Sequence, residues 1–176
     1  MKKIVSFTLF FCFIFIAGCQ DSFEYDDEEV AAIIRGEELT IGELRFLYPD
    51  DEIFENLEGT IKGKLAVQEA KEMQLTIKEP SAESQRGYPA EDDTTDFAAE
   101  TRAFAEEQGK KFGLEPEEYF EKYAEQTQET SLYVIAYINE MIGELDDNPK
   151  EYSEQGNQLL DDLYEDNLDE IEILME

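Results

Sequence analysis

The chain has 176 residues, with 45 Asp and Glu against 14 Lys and Arg, and a formal net charge of −31. Polyphosphate and anionic lipid would repel such a chain, which argues against nucleic acid as a partner and against electrostatic adsorption to membranes. His is absent, removing the commonest general base and metal ligand, yet a hydrophobic fraction of 41% and an aromatic fraction of 12% suit a packed core better than a disordered acidic chain.

The first residues read as an address. Lys2 and Lys3 precede an apolar run from Ile4 to Ile16, which closes with Ala17-Gly18-Cys19. That is the layout of a secretory signal with a small-residue cleavage site, and the run is short for a spanning helix, which needs about 20 residues. Ile16-Ala17-Gly18-Cys19 resembles the lipobox of bacterial lipoproteins. The resemblance implies cleavage between Gly18 and Cys19, lipidation of the Cys19 thiol, and a lipid anchor at the new N-terminus. Two acyl chains anchor stably where one does not. With Cys12 lost in the signal and Cys19 acylated, no intrachain disulfide remains, so stability must come from the core.

Residues 19–29 are acidic and read as an extended tether. Val30 to Ile34 is a short β-favourable run, expected to be the one N-terminal strand, and Gly36-Glu37 is a turn signal. Thr40-Ile41-Gly42-Glu43 has capping-box form and predicts a short helix through Leu44 and Leu47 that ends before Pro49. Asp50 or Asp51 is expected to cap the next helix. That helix runs to about Leu75, with Phe54, Leu57, Ile61, Leu65 and Met73 on one face and Ala66 and Ala70 between. Gly59 and Gly63 are weak points inside it.

Residues 80–95 form the clearest loop. Asp96 to Lys111 predicts a helix with Phe97, Thr101, Phe104 and Gln108 along one side, closed by Gly113. Pro116 opens another that carries Phe120, Tyr123, Val134, Ile135, Ile138 and Ile142. The phenylalanines at helical spacing, Phe54, Phe97, Phe104 and Phe120, read as core. Gly143 to Ser153 is a breaker region. The remainder of 143–176 reads as an acidic amphipathic helix bearing Leu160, Leu163, Leu168, Ile171 and Leu174, docked or frayed.

Read in order, Arg35-Gly36-Glu37-Glu38-Leu39-Thr40 after the strand, then the helix ending Gln68-Glu69-Ala70-Lys71, then Phe112-Gly113-Leu114-Glu115-Pro116 before a long helix, resemble the N-terminal domain of the SurA-like foldase family. These are extracytoplasmic chaperones, among them the PrsA-type lipoproteins of Gram-positive bacteria. The resemblance covers residues 30–142. It implies a mainly α, small helical SurA-N-like chaperone module with one short N-terminal β-strand, anchored on the outer face of the cell membrane and holding secreted or envelope protein clients. The parvulin prolyl-isomerase domain of many relatives does not fit into the 34 residues after Ile142, and the last helix stands where relatives complete the module with a C-terminal helix.

Little points to bond-making. No Gly-x-Ser-x-Gly elbow occurs, and no His stands beside a Ser or Cys nucleophile, so no catalytic residue is assigned. No Asp-x-Asp-x-Asp-Gly loop occurs near Asp146-Asp147 or Asp161-Asp162, so no cofactor and no metal site are expected beyond weak, diffuse surface Ca²⁺. Tyr133 and Tyr137 flank the Val134-Ile135-Ile138 face, and tyrosines at such a boundary suit adaptable peptide contact. Two alternatives to a chaperone-like holder stay open: a non-catalytic adaptor for one envelope partner, and a surface cation buffer.

Overall fold

The computed structural model describes residues 23–77, 87–144 and 148–175. The signal, Gly18 and Cys19 therefore lie outside the described residues, as do 80–86 of the expected loop.

The first strand, β1 (Val30–Ile34), forms where expected and turns back through Arg35-Gly36 into β2 (Glu37–Thr40). Both turn residues have positive φ, 49° at Arg35 and 83° at Gly36, as the mirror-image two-residue hairpin turn requires. Glycine meets that requirement freely, and Arg35 accepts it while its guanidinium reaches Glu69 at 2.7 Å and Asn167 at 2.8 Å. Thr40 then caps α1 (Ile41–Leu47). Its Oγ1 accepts the Glu43 N–H at 3.1 Å, and Glu43 Oε2 accepts the Thr40 N–H at 2.9 Å. The capping box thus forms as the sequence predicts.

The next helix begins differently from expectation. A 3₁₀ turn, Asp50–Glu52, leads into α2 (Ile53–Glu72), and neither Asp50 nor Asp51 caps it. Asp50 instead accepts from Arg45 and Lys111. The turn shifts the buried stripe by one residue: Ile53 is buried and Phe54 is 47% exposed. Leu57, Ile61, Leu65, Ala66 and Ala70 hold the core face as predicted, whereas Met73 lies beyond the helix and is exposed.

Beyond the expected loop, Thr95 caps α3 (Asp96–Phe112) by accepting the Ala98 N–H at 3.2 Å. Arg102 ties the preceding segment down, donating to the Ala90 and Asp93 carbonyls at 2.8 and 2.7 Å. Phe97, expected in the core, is 54% exposed; Ala98, Ala105, Gln108 and Gly109 are buried. After Gly113, α4 (Pro116–Ile142) starts on its proline and runs unbroken through the polar stretch near Glu125 to Ser131. Tyr119 anchors its first turns. The ring sits among Phe46, Phe104 and Phe112, with centroids 5.1 to 6.5 Å away, and the hydroxyl donates to the Phe46 carbonyl at 2.7 Å. Burial pushes that phenol well above its ordinary pKa, with a smaller contribution from Tyr123.

The C-terminal segment departs most from its reading. Asn148 caps α5 (Pro149–Asp166), so residues 149–153 are helical, not a breaker. Leu168 and Ile171 are not on that helix. A 3₁₀ turn, Leu168–Glu170, leads into β3 (Ile171–Ile173), which pairs antiparallel with β1. The sheet order is β2-β1-β3, so three strands stand where one was expected. The segment docks: α5 packs on α2, and Leu163 and Met175 join the core of Ile34, Leu39, Ile41, Leu44, Ile61 and Leu65. The described part of the expected tether docks too. Phe23 and Tyr25 pack on that core, and the Asp27 carbonyl accepts the Gly42 N–H at 2.9 Å. A Cβ at position 42 would lie 2.9 Å from that carbonyl, which is why glycine stands there.

Candidate binding cleft

A cleft of about 400 Å³ opens between α2 and α4, with β2 and α1 at one end. Its origin is legible in α2. Gly59, Gly63, Val67 and Lys71 recur at four-residue spacing and share one helix face. A Cβ at Gly59 or Gly63 would meet nothing within 4 Å. The glycines therefore leave space rather than permit close packing. Opposite them, α4 presents Gln126, Thr127, Thr130 and Tyr133. The half-buried Leu47 and Val67 supply aliphatic surface, and the fully buried Leu39 lies beneath them. Glu37, Glu43, Lys64, Gln68 and Lys71 make much of the remaining lining polar, so the aliphatic patch is small.

The polar groups are largely committed to the protein itself. Thr60, Thr127 and Ser131 donate to carbonyls one turn back, those of Asn56, Tyr123 and Thr127. Lys64 is 2.9 Å from Glu43, and Lys71 lies over the Tyr133 ring at 5.1 Å. Burial alone would raise the Glu43 carboxyl. The Thr40 N–H and Lys64 outweigh that effect and hold it below the usual carboxylate range.

The two tyrosines singled out in the sequence part company. Tyr133 is half-buried and lines the cleft. Tyr137 is 4% exposed and belongs to the core, so it is not available for peptide contact. Burial, with the Glu69 charge adding to it, raises its pKa. Four residues apart, the two share one face of α4; Tyr137 is packed into the core, whereas Tyr133 sits one turn earlier on that face, at the cleft and beside Lys71. The groups that shape the cleft, Gly59 and Gly63, carried a visible signal in their four-residue spacing.

Substituting Ala for Gly59 and Gly63 adds methyl groups to open space and removes the backbone entropy cost of glycine in a helix. Each substitution is expected to raise the unfolding free energy by about 1 kcal/mol, measured by urea denaturation. A fall in stability would mean that the helices close over the glycines.

Among the described residues, no group of three or more Cys, Asp or Glu side chains is arranged to hold a metal ion. No described helix is long and apolar enough to cross a membrane. Comparison with protein-family models, with curated proteins and with solved structures finds no match to this chain.

Proposed function

We propose that this chain is a membrane-anchored extracytoplasmic lipoprotein whose helical body holds segments of secreted or envelope proteins, a chaperone-like task with no prolyl isomerisation and no bond-making. The observation that carries the reading is the α2–α4 cleft, whose aliphatic surface and vacant glycine face leave room for a client's apolar side chains. Charge supports it. Every described Lys and Arg is already engaged by the protein's own carboxylates, carbonyls or rings, so the surplus carboxylates meet the solvent and favour basic clients. The resemblance to the SurA-like N-terminal domain is supported by the hairpin, the Thr40 capping box and the long α4. α5 packs on α2 and β3 pairs with β1, which is consistent with a C-terminal segment that completes the module. Cys19 supplies the anchor.

Gly63→Leu tests the reading. The added side chain enters the cleft without meeting a neighbour at its Cβ, so the fold is retained. Full-length wild type is expected to suppress aggregation of a basic unfolded protein such as reduced lysozyme, and G63L to need about tenfold more protein for the same effect. Equal activity of both, or none in either, defeats the reading. Crosslinking in cells is expected to capture many clients; one stoichiometric partner instead would favour the adaptor. Cys19→Ser is expected to release the chain from the membrane fraction.

A further inference from the structure

The three-stranded sheet has two outer edges, and they are not equivalent. The ladder between β1 and β3 alternates, as antiparallel ladders do. The Arg35 N–H donates to the Glu170 carbonyl at 2.9 Å and the Leu174 N–H to the Ala31 carbonyl at 2.8 Å, with Ile33 opposite Glu172. The backbone groups of Glu170, Glu172 and Leu174 therefore face β1. Those of Ile171 and Ile173 face away from it, and no strand lies on that side among the described residues. On the far edge, β2 turns only Glu38 outward, because Glu37 and Leu39 pair with Ile34 and Ala32. It is then closed by the Thr40 N–H bond to Glu43. The open edge is β3.

Its side chains say what would cover it. Ile173 is 46% exposed, and Leu168 and Leu174 are exposed beside it. Exposed acids adjoin or lie on this strand in the chain: Glu165, Asp166, Asp169, Glu170 and Glu172. Arg35, the cation paired to this strand by its backbone, has its guanidinium committed to Glu69 and Asn167. A second copy pairing through β3 would set these acids against themselves.

We propose that the β3 edge is a second docking site, distinct from the cleft, which takes an extended cationic segment of a partner protein as a fourth strand. The segment alternates Lys or Arg with aliphatic residues. Its backbone bonds to the outward N–H and C=O groups of Ile171 and Ile173, its aliphatic side chains cover Ile173, and its cations meet the acids.

The test uses the full chain and a Lys-Val-Lys-Val-Lys-Val-Lys peptide. At saturation, amide hydrogen exchange at Ile171 and Ile173 is expected to slow about tenfold or more, with the already bonded Glu172 amide little changed. A peptide with Glu in place of Lys is expected to bind at least about tenfold more weakly. Ile173→Pro removes an outward N–H and no ladder bond. It is expected to abolish the protection at Ile171 while the melting temperature stays unchanged, and Gly63→Leu is expected to leave it intact. The proposal is overturned if saturating peptide leaves both amides unprotected, or if the Glu peptide binds as well. It is also overturned if both amides are protected before peptide is added, in a concentration-dependent dimer.

Discussion

Arg45→Ala is expected to lower the unfolding free energy by about 3 kcal/mol. Arg45 is the hub that joins the N-terminal segment, α1 and the 3₁₀ turn before α2. Its side chain is buried, Nη1 lies 2.6 Å from Asp27, and Nε and Nη2 reach the two Asp50 oxygens at 3.2 Å each. Its guanidinium also lies 5.3 Å from the Phe23 ring centroid. Truncation leaves Asp50 partly buried with Lys111 alone, at 2.6 Å, and takes from Asp27 and Phe23 their contacts with the guanidinium. The pH dependence follows from Asp50. Burial alone would raise its pKa, but the hydrogen bonds and charges of Arg45 and Lys111 prevail and lower it. A carboxyl whose folded pKa is depressed stabilises fully above its unfolded value of about 3.9, and the contribution is lost as pH falls through the folded value. Wild type should therefore lose stability below about pH 4, and Arg45→Ala should lose less over the same window. Urea titrations at pH 7 and pH 3 check both statements. An equal loss in the two proteins would show that Arg45 does not hold the Asp50 pKa down.

Where a signal was local, the sequence carried it. The β1 run, the Thr40 and Glu43 box, the Leu57, Ile61 and Leu65 stripe, and Pro116 at the head of α4 each depend on residues within one or two turns of each other. Phase was less legible. Phe54 and Ile53 are neighbours, and which of them faces the core is set by the 3₁₀ entry at Asp50–Glu52, whose charged residues give no sign of it. Topology was least legible. Leu168, Ile171 and Leu174 keep a helical spacing of three, and the pairing that makes Ile171–Ile173 a strand lies at the opposite end of the chain in β1. An edge strand of three residues carries too few positions to show a period of two. Of the cleft only its two glycines were visible, and they read as weak points in α2. That they leave space depended on the distance between α2 and α4, which no single segment encodes.

Asn167→Ala is expected to cost about 3 kcal/mol, because one side chain closes the fold across its two ends. Asn167 is buried between α5 and β3. Its Nδ2 donates to the Leu163 carbonyl at 2.7 Å and ends α5, while its Oδ1 accepts from Arg35 Nε at 2.8 Å across 132 residues of sequence. Arg35 occupies a left-handed turn position and also pairs with Glu69 on α2, so the amide links hairpin, central helix and C-terminal segment. Alanine leaves a buried carbonyl unpaired and deprives the guanidinium of its neutral acceptor, and each loss carries a desolvation penalty of about 1–3 kcal/mol. The loss should be local before it is global. Amide exchange in Ile171–Ile173 and at Leu174, whose N–H bonds to Ala31, should accelerate more than exchange in α3, which packs on α4. Asn167→Asp gives the complementary result. A carboxylate strengthens the bond to Arg35 but sets its second oxygen against the Leu163 carbonyl, to which it cannot donate; once protonated below about pH 4 it carries an O–H that can donate there as the amide does, so its deficit against wild type should shrink on acidification while that of alanine persists. Uniform acceleration across all helices in Asn167→Ala would mean that the C-terminal strand has no stability of its own to lose and unfolds only with the whole.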